Sequence, residues 1–375
     1  MIVAFCLFKY FPYGGLQRDF VRIAKEVEKR GHTIRVYVQE WNGPKLQSFE
    51  IIEVPVSSRT NHGQGKQFVD WVQKHLKSHP VDVVVGFNKM PGLDVYYAAD
   101  VCYEEKVSLE KQGLTALLYR MTSRYRHFST YENATFGHGL KTKLMMIAES
   151  QIKDFKKHYG TEDSRFILLP PGIAPDRKYS NLAEGTREHF RTENQIASNQ
   201  LLLLQLGSDF KRKGVDRSLK AIASLPPEIK ERVVLMVVGQ DRPEKFIDLA
   251  RQLGIDANVR FFSGRDDVPA IMGATDVFLH PAYTENTGTV ILEAVVAGLP
   301  VIVTEICGYS PYIQKANCGI VVSDPDIQDS LNKALLKLLS DDEYRGRCSN
   351  NAKHFADTED LYSMPERAAD VILGQ

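Results

Sequence analysis

Short runs of consecutive apolar residues alternate along the chain with loops and with longer segments whose apolar residues recur at helical spacing. The apolar run 2–8 is followed by such a segment, which contains Phe20, Ile23 and Val27 and ends at Gly31. A second apolar run comes next. A strand, a helix and a second strand in this order form a βαβ unit, which requires a parallel sheet and a right-handed crossover. The alternation therefore predicts an α/β fold with doubly wound sheets.

The same pattern predicts where the buried strands lie. Each predicted strand is a short apolar run that is followed by a glycine-containing or polar loop. These runs are 2–8, 35–39, 81–87, 143–148, 201–207, 233–239, 259–264, 276–281 and 300–305.

The strand-helix pattern is interrupted at the Pro- and Gly-rich stretch 170–178 and then begins again. At 375 residues, the chain also exceeds the roughly 250 to 300 residues at which a single core stops growing. We therefore predict two Rossmann-like domains, 1–170 and 171–354, and a C-terminal helix in 355–375 that crosses back to the first domain. Open parallel sheets bind ligands beyond the carboxyl ends of their strands, so two such edges facing each other would form a central cleft.

Charge and cysteine content bear on the class of function. Lys+Arg and Asp+Glu both number 47, so the net charge is zero and no global field attracts nucleic acid. The five cysteines are scattered without metal-ligand spacing, which is typical of free thiols in a reducing compartment. The first apolar run has no basic region before it, and no apolar run reaches the roughly 18 residues that span a bilayer. We expect a cytoplasmic protein without a nucleic-acid partner.

Two loops at the ends of predicted strands are candidate phosphate sites. Gly14 and Gly15 follow the first strand and precede the first helix, where backbone N–H groups can approach a phosphate. The alternative for such a glycine pair is a tight strand-helix turn. Arg212 and Lys213 precede Gly214 in the loop after the run 201–207, and a cation pair there suits a diphosphate. The alternative is a solvated charge pair.

Two carboxylates flank a predicted helix start in the second half of the chain. Glu285 and Glu293 are separated by seven residues, and the helix begins near Gly288. Backbone N–H groups of residues 287–290 could hold a phosphate, while carboxylates accept paired hydrogen bonds from the vicinal hydroxyls of sugars. The alternative is a capping arrangement with Glu293 on a solvated face. The surrounding residues of this helix are apolar, which makes an idle buried carboxylate costly.

Taken together, these segments resemble the retaining glycosyltransferases of the GT-B fold, in the large family marked by a glutamate, seven residues and a second glutamate. The resemblance extends through most of the chain. It is carried by the segments GGLQRDF, AESQIKDFKKHYG, ILLPPGI, RKG and GLPVI. The segments 87–103, 122–127 and 170–180 are similar to family members that glucosylate the inner-core heptose of bacterial lipopolysaccharide. This similarity implies UDP-glucose as the donor and a lipid-linked core oligosaccharide as the acceptor.

The resemblance implies distinct roles for the residues of a donor site. Arg212 and Lys213 would bind the diphosphate, Glu285 the hexose hydroxyls and Glu293 the ribose. Gly15 would meet the phosphate or the transferred sugar. The complete predicted donor site is Gly14, Gly15, Arg177, Arg212, Lys213, Glu285, Asn286, Thr287, Gly288, Thr289 and Glu293.

In a retaining enzyme of this kind, the leaving diphosphate itself accepts the proton of the acceptor hydroxyl. Catalysis then depends on positioning by Glu285 and on stabilisation of the diphosphate charge by Arg212 and Lys213. No Asp-x-Asp clamp occurs in a donor-loop context, so we expect no metal ion and no other cofactor. Asp19 and Asp100 are further catalytic candidates on the acceptor side, although each could equally cap a helix or pair with a neighbouring base.

The segment 111–131 combines basic and aromatic residues without an acidic one. Its candidate membrane-contact residues are Lys111, Arg120, Arg124 and Arg126. Such a segment can lie on anionic lipids, which would place the protein at the inner face of the inner membrane. The alternative is a core helix with a solvated cationic face.

Other functions remain open at this point. The same fold could use another nucleotide sugar or another lipid-linked glycan acceptor. A protein that binds nucleotide sugars without turnover would be favoured only if Glu285 or Lys213 were missing, and both are present. A dehydrogenase is excluded because the chain lacks a GxGxxG motif with its following acidic residue.

Overall fold

The chain folds into two compact units, each built on its own parallel β-sheet. The computed structural model describes residues 1–12, 14–323 and 327–375. The first unit comprises Met1–Gly172 and Ser363–Gln375, and the second comprises Ile173–Tyr362.

The first unit has a parallel sheet with helices on both faces. Its strands are β1 (Ile2–Cys6), β2 (Lys9–Tyr10), β3 (Thr33–Val38), β4 (Glu40–Trp41), β5 (Glu50–Glu53), β6 (Val83–Gly86), β7 (Val95–Ala98), β8 (Lys143–Met146) and β9 (Phe166–Leu168). Its helices before the second unit are α1 (Gly15–Lys29), α2 (Asn61–Ser78), α3 (Tyr103–Glu110), α4 (Gly113–Arg120), α5 (Ser123–Phe136) and α6 (Ile152–Tyr159). The strand order is β5-β3-β1-β6-β7-β8-β9, and β2 pairs separately with β4.

Strand β1 shows why a run of consecutive apolar residues forms a strand here. Val3 and Phe5 pack in one core with Phe20 of α1. Ala4 points to the opposite core, where it packs with residues that include Phe68 of α2. A strand that is buried on both faces needs apolar residues at every position, so the polar alternation of a half-exposed strand is absent.

The second unit repeats this architecture. Its strands are β10 (Leu201–Leu206), β11 (Val233–Val238), β12 (Val259–Phe262), β13 (Val277–His280), β14 (Val301–Thr304) and β15 (Gly319–Val322). Its helices are α7 (Thr186–Glu193), α8 (Val215–Ala223), α9 (Pro227–Lys230), α10 (Glu244–Gln252), α11 (Val268–Ala274), α12 (Thr289–Val296), α13 (Ser310–Ala316), α14 (Ile327–Ser340) and α15 (Asp342–Thr358). The strand order is β12-β11-β10-β13-β14-β15. Leu202 packs on the α12 side of this sheet and Leu203 on the α8 side.

Every predicted apolar run forms a strand of one of the two sheets, and the doubly wound α/β fold is confirmed. The sequence did not predict β5, β7 or β15, which have four residues each. In β7, Tyr96 and Tyr97 are both buried and contribute to opposite cores.

The division between the two units falls close to the predicted boundary. The predicted start of the C-terminal helix, at residue 355, was wrong. The first unit ends at Gly172, two residues after the predicted end at 170. Residues 355–358 do not begin a new helix, because they are the last turn of α15 in the second unit. The final helix, α16 (Met364–Leu373), begins later and has Pro365 in its first turn, where a missing N–H is tolerated.

Helix α16 belongs to the first unit and packs against α1. Its Ala368 and Ile372 lie in the same core as Phe20. At the helix surface, Arg30, which directly follows α1, donates a hydrogen bond from Nη1 to Asp370 at 2.7 Å. Apolar packing and this ion pair therefore join the end of the chain to its first helix.

Two further expectations concern cysteines and membrane spans. All five cysteines are free, as predicted, and all five are buried. Within the described parts of the chain, no helix combines the length and the apolar composition needed to cross a bilayer.

Candidate active site

Loops after two neighbouring strands of the second unit bring charged side chains together. Strands β10 and β13 pair in parallel, so both end at the same edge of the sheet. The loop 207–214 after β10 therefore lies beside the loop 281–288 after β13. A backbone hydrogen bond of 2.8 Å from Tyr283 to the carbonyl of Arg212 joins the two loops.

Backbone hydrogen bonds hold the first of these loops in a fixed turn. The N–H of Lys213 donates to the carbonyl of Asp209 at 3.0 Å, and the N–H of Gly214 donates to the carbonyl of Lys211 at 3.1 Å. On the strand itself, the buried Gln205 donates from Nε2 to the carbonyl of Lys213 at 2.8 Å. These contacts fix the backbone from which the Lys213 side chain projects.

Gly214 allows this loop to lie against the end of β13. Its φ is +76°, in the left-handed region that favours glycine. A Cβ at this position would also collide with the carbonyl oxygen of Pro281. Both the backbone conformation and the close approach therefore require glycine.

Lys213 and Glu285 form a buried ion pair where the two loops meet. Lys213 Nζ contacts Glu285 Oε2, and only 11% and 10% of the two side chains are exposed. Arg212 adds its Nη1 at 3.3 Å from Glu285 Oε1. One carboxylate thus lies between two cations, and the alternative of a solvated charge pair is wrong for Lys213.

His280, the last residue of β13, completes this cluster and was not predicted from the sequence. Its imidazole is fully buried, and Nε2 lies 3.2 Å from Oε2 of Glu285. In the sequence, His280 differs from its neighbours only as a polar residue near the end of the apolar run 276–281. A single histidine in such a run is more often a core residue, so this signal does not identify a site.

The carboxyl group of Glu285 is held in its ionised form. Burial alone would raise the pKa of this group, but the hydrogen bond from His280 and the positive charge of Lys213 hold the pKa well below its usual range. The cluster of Arg212, Lys213, His280 and Glu285 therefore contains a stable carboxylate.

The loop after Glu285 leads into α12 through a glycine. Gly288 has a φ of +74° and forms the N-cap of the helix. The carbonyls of Asn286 and Thr287 accept hydrogen bonds from Gly308 and Tyr309 at 2.7 and 2.9 Å. These contacts fix the entry to α12, whose first N–H groups have no acceptor inside the helix.

Helix α12 carries two more residues of the predicted donor site. Thr289 is its first residue, and Glu293 lies one turn later. Glu293 is 5% exposed, so the alternative that placed it on a solvated face is wrong.

Arg177 also belongs to the second unit and ends the short 3-10 helix Pro175–Arg177. Its side chain is 14% exposed, and Nε lies 3.9 Å from a carboxylate oxygen of Asp176. Nε and Nη1 are buried and have no hydrogen-bond acceptor among the residues that the structure describes. Buried donors of this kind are suited to an anion.

The glycine loop of the first unit contains one structural glycine and one accessible glycine. Gly14 precedes α1, and a Cβ on it would collide with the side chain of Gln17. Gly15 has open space around its Cβ position within the described residues. Tyr13 of the same predicted loop lies outside the described residues.

The two acceptor-side candidates lie at the carboxyl edge of the first sheet. Asp19 of α1 accepts a hydrogen bond of 2.7 Å from the hydroxyl of Tyr97 on β7. Asp100 follows the same strand and is exposed. The structure thus places both carboxylates at the edge where open α/β sheets bind ligands.

The cluster of Arg212, Lys213, His280 and Glu285 in the second unit contains cations that can bind phosphate and a carboxylate that can bind hydroxyl groups. Arg212, Lys213 and Glu285 were predicted to act together, and the structure brings them into contact. Over the described residues, no group of three or more His, Cys, Asp or Glu side chains is arranged to hold a metal ion.

The basic aromatic segment 111–131 forms α4 and most of α5. Four of its large apolar side chains are between 57% and 69% exposed, namely Leu114, Leu117, Leu118 and Met121. Three cations beside them are also exposed, and they are Arg120, Arg124 and Arg126. Lys111 is partly buried, with its ammonium 5.7 Å from the ring centre of Tyr119. The alternative of a core helix is therefore wrong for α4.

Comparison with known proteins identifies the family. A family model described as glycosyl transferases group 1 matches residues 186–355. The lipopolysaccharide glucosyltransferase WaaG of Escherichia coli (strain K12) is 59% identical over 374 residues, which cover 100% of this chain and 99% of that protein. The chain belongs to the group 1 glycosyltransferases.

Solved structures give the fold of this group 1 glycosyltransferase. The crystal structure of WaaG, a glycosyltransferase involved in lipopolysaccharide biosynthesis, has a TM-score of 0.94 at 58% identity and covers 100% of both chains. The structure of Anabaena HepE in complex with UDP and glucose has a TM-score of 0.75 at 17% identity over 100% of both chains, which indicates the shared fold alone. The predicted GT-B fold, with two Rossmann-like units, is confirmed.

Replacing Gly214 with alanine tests the close contact between the two loops. Gly254→Ala is a matched control, since Gly254 also has a positive φ of +66° but has open space around its Cβ position within the described residues. Both variants should lose about 1 to 2 kcal/mol of unfolding free energy through backbone strain. Gly214→Ala should lose on the order of 2 kcal/mol more through its collision with Pro281. Chemical denaturation followed by circular dichroism measures the difference, and equal losses would contradict the contact.

Proposed function

We propose that this glycosyltransferase transfers glucose from UDP-glucose to an inner-core heptose of lipopolysaccharide, with retention of configuration. Its 59% identity to the lipopolysaccharide glucosyltransferase of E. coli supports this donor sugar and acceptor class. The observation that carries the proposal is the buried contact between Lys213 and Glu285. This contact places a cation that can bind phosphate next to a carboxylate that can bind sugar hydroxyls.

We assign the donor's diphosphate to the cations of the second unit. Lys213 and Arg212 lie at the carboxyl end of β10, and the first N–H groups of α12 lie at the end of a neighbouring loop. Arg177 is a further candidate, because its buried N–H groups have no acceptor among the described residues. Glu293 is assigned to the ribose, since a buried carboxylate at this edge can accept two hydroxyl hydrogen bonds.

Donor binding would change the contacts of Glu285. Arg212 and Lys213 both contact its carboxylate in the structure. A diphosphate carries more charge than one carboxylate, so it would draw the two cations toward itself. The lone pairs that they leave on Glu285 would then accept hydrogen bonds from the hexose hydroxyls.

The proposed reaction needs no protein base. The bond between the anomeric carbon and the diphosphate oxygen breaks, and its electron pair goes to the diphosphate, where Lys213 and Arg212 stabilise the charge. The acceptor hydroxyl forms the new bond on the same face of the sugar. Its proton passes to an oxygen of the leaving diphosphate. Asp19 and Asp100, at the edge of the first sheet, are proposed to contact the acceptor.

Substitutions in the cluster test these roles. Lys213→Ala should lower kcat by a factor on the order of 100 or more, because it removes charge stabilisation of the leaving group. Glu285→Gln should abolish most transfer, and Glu293→Ala should mainly weaken donor binding. Lys211→Ala is the matched control, since Lys211 is in the same loop but its Nζ lies 2.8 Å from Asp216.

The measurement is nucleotide release from a panel of nucleotide sugars, with and without truncated lipopolysaccharide core as the acceptor. UDP-glucose with heptose-containing core should give the highest rate. A higher rate with another nucleotide sugar would replace the proposed donor. Wild-type turnover in both Lys213→Ala and Glu285→Gln would remove the cluster from the mechanism.

We expect transfer to proceed without a metal ion, because Lys213 and Arg212 are placed to stabilise the phosphate charge that a divalent cation would otherwise stabilise. Treatment with EDTA should leave the rate unchanged. Loss of transfer in EDTA, with recovery on addition of magnesium or manganese, would contradict this expectation.

We also propose that α4 and the start of α5 bind the inner face of the inner membrane, where a lipid-linked acceptor is accessible. Four large apolar side chains of this segment are exposed, and three arginines lie beside them. Apolar side chains next to cations suit the boundary between acyl chains and anionic headgroups. The segment would bring a cytoplasmic enzyme to its acceptor.

Replacing Arg120, Arg124 and Arg126 with serine should weaken binding to anionic vesicles. Each cation near an anionic surface contributes about 1 kcal/mol, so the triple substitution should reduce partitioning more than about 100-fold. The control replaces three exposed cations of the second unit, Lys333, Lys337 and Arg347, and should change little. Higher salt should release the wild-type protein, since screening acts over about 8 Å at physiological ionic strength. Unchanged co-sedimentation in both experiments would show that α4 and α5 do not bind lipid through these charges.

A further inference from the structure

The buried imidazole of His280 has one ring nitrogen beside Glu285 and one without a partner. Nε2 lies 3.2 Å from Glu285 Oε2. Nδ1 is buried and has no hydrogen-bond partner in the part of the chain that the structure describes. An unsatisfied buried polar atom costs stability, and an apolar residue at the end of β13 would avoid that cost. The contact with Glu285 is the feature that distinguishes histidine from an apolar residue at this position.

The geometry defines the form of the imidazole. Nε2 must carry the hydrogen in order to donate to a carboxylate oxygen, so Nδ1 is unprotonated in the neutral ring. Burial lowers the pKa of His280, the hydrogen bond to Glu285 opposes this, and the charge of Lys213 lowers the pKa further. His280 therefore donates a hydrogen bond to Glu285 without adding a third cation beside Arg212 and Lys213.

The Glu285 carboxylate has four contacts, two with flexible side chains and two with groups that are fixed in the fold. Oε1 accepts from Arg212 Nη1 at 3.3 Å and from the N–H of Asn286 at 3.2 Å. Oε2 contacts Lys213 Nζ and His280 Nε2. Arg212 and Lys213 have long, flexible side chains, and both are assigned to the diphosphate. The imidazole of His280 is fully buried at the end of a central strand.

We propose that His280 is a positioning residue that holds Glu285 in place while Lys213 and Arg212 turn from the carboxylate to the diphosphate of the donor. After that exchange, His280 retains Oε2 and the backbone of Asn286 retains Oε1. The carboxylate then keeps its orientation toward the hexose. This proposal rests on the proposed function, in which Glu285 binds hexose hydroxyls.

The test separates binding of the nucleotide from use of the sugar. His280→Phe keeps an aromatic ring beside Phe278, whose ring centre lies 6.1 Å from that of His280, but removes the donor. UDP affinity should stay within about threefold of wild type, while kcat with UDP-glucose should fall on the order of tenfold or more. His280→Gln restores an N–H donor and should recover most of kcat.

His158→Phe is a matched control for loss of a histidine-glutamate contact. His158 Nε2 lies 2.5 Å from a carboxylate oxygen of Glu105 in the first unit. UDP affinity and kcat should both remain at wild-type values. Calorimetric titration with UDP and initial rates of UDP-glucose transfer provide the two readouts.

Two outcomes would overturn the role of His280. One is a folded His280→Phe variant with wild-type kcat, and the other is a loss of UDP affinity as large as the loss of kcat. Glu285→Gln separates this failure from failure of the proposed function. If Glu285→Gln is inactive while His280→Phe is active, only the positioning role fails. If Glu285→Gln retains wild-type transfer, the proposed sugar site itself fails.

A measurement on the wild-type protein covers the case in which His280→Phe does not fold. Nitrogen NMR of histidine-labelled protein, with the signal assigned by its absence in His280→Gln, should show a neutral ring that carries its hydrogen on Nε2 and a pKa below that of an exposed histidine. An Nδ1–H tautomer, or a pKa above that of an exposed histidine, would overturn the proposal.

Discussion

The buried contact between Lys213 and Glu285 is the interaction on which the rest of the candidate site depends. Removing two charges from water costs several kcal/mol per ion, so such a pair persists only when its hydrogen bonds are well satisfied. Here Arg212, His280 and the N–H of Asn286 provide the other contacts of the carboxylate. Because the two ions come from different loops, their contact also fixes the loop after β10 against the loop after β13.

The fold was largely predictable because the central strands are buried on both faces. Leu202 and Leu203 illustrate this, since adjacent residues of β10 enter opposite cores and the strand begins with four consecutive leucines. Strand β5 lacks that signal, because it has a glutamate at each end and only two apolar residues between them. The sequence did not predict where α15 ends and α16 begins. Residues 355–358 form the last turn of α15 in the second unit, whereas residues 363–375 belong to the first unit. Such a division depends on tertiary packing.

The site was only partly predictable from sequence. Lys213, Arg212 and Glu285 were predicted because they lie in loops after predicted strands and form part of a family pattern, and the structure brings the three side chains into contact. The sequence does not show that Lys213 turns inward to Glu285 while Lys211, two residues earlier, pairs with Asp216. Nor does a single histidine at the end of β13 reveal its carboxylate partner. Side-chain direction within a loop depends on hydrogen bonds such as the one from Gln205 to the Lys213 carbonyl.

A double-mutant cycle on the unfolding free energy tests the central claim most directly. Lys213→Met removes one of the two cations beside the buried Glu285 carboxylate, and Glu285→Gln removes the carboxylate beside the buried Lys213 ammonium, so each should cost about 3 kcal/mol. The double variant should cost about 2 kcal/mol less than the sum of the two, because removing both charges removes the desolvation cost as well. Chemical denaturation followed by circular dichroism gives the three differences. Additive losses, within about 0.5 kcal/mol, would contradict the claim that this ion pair organises the site.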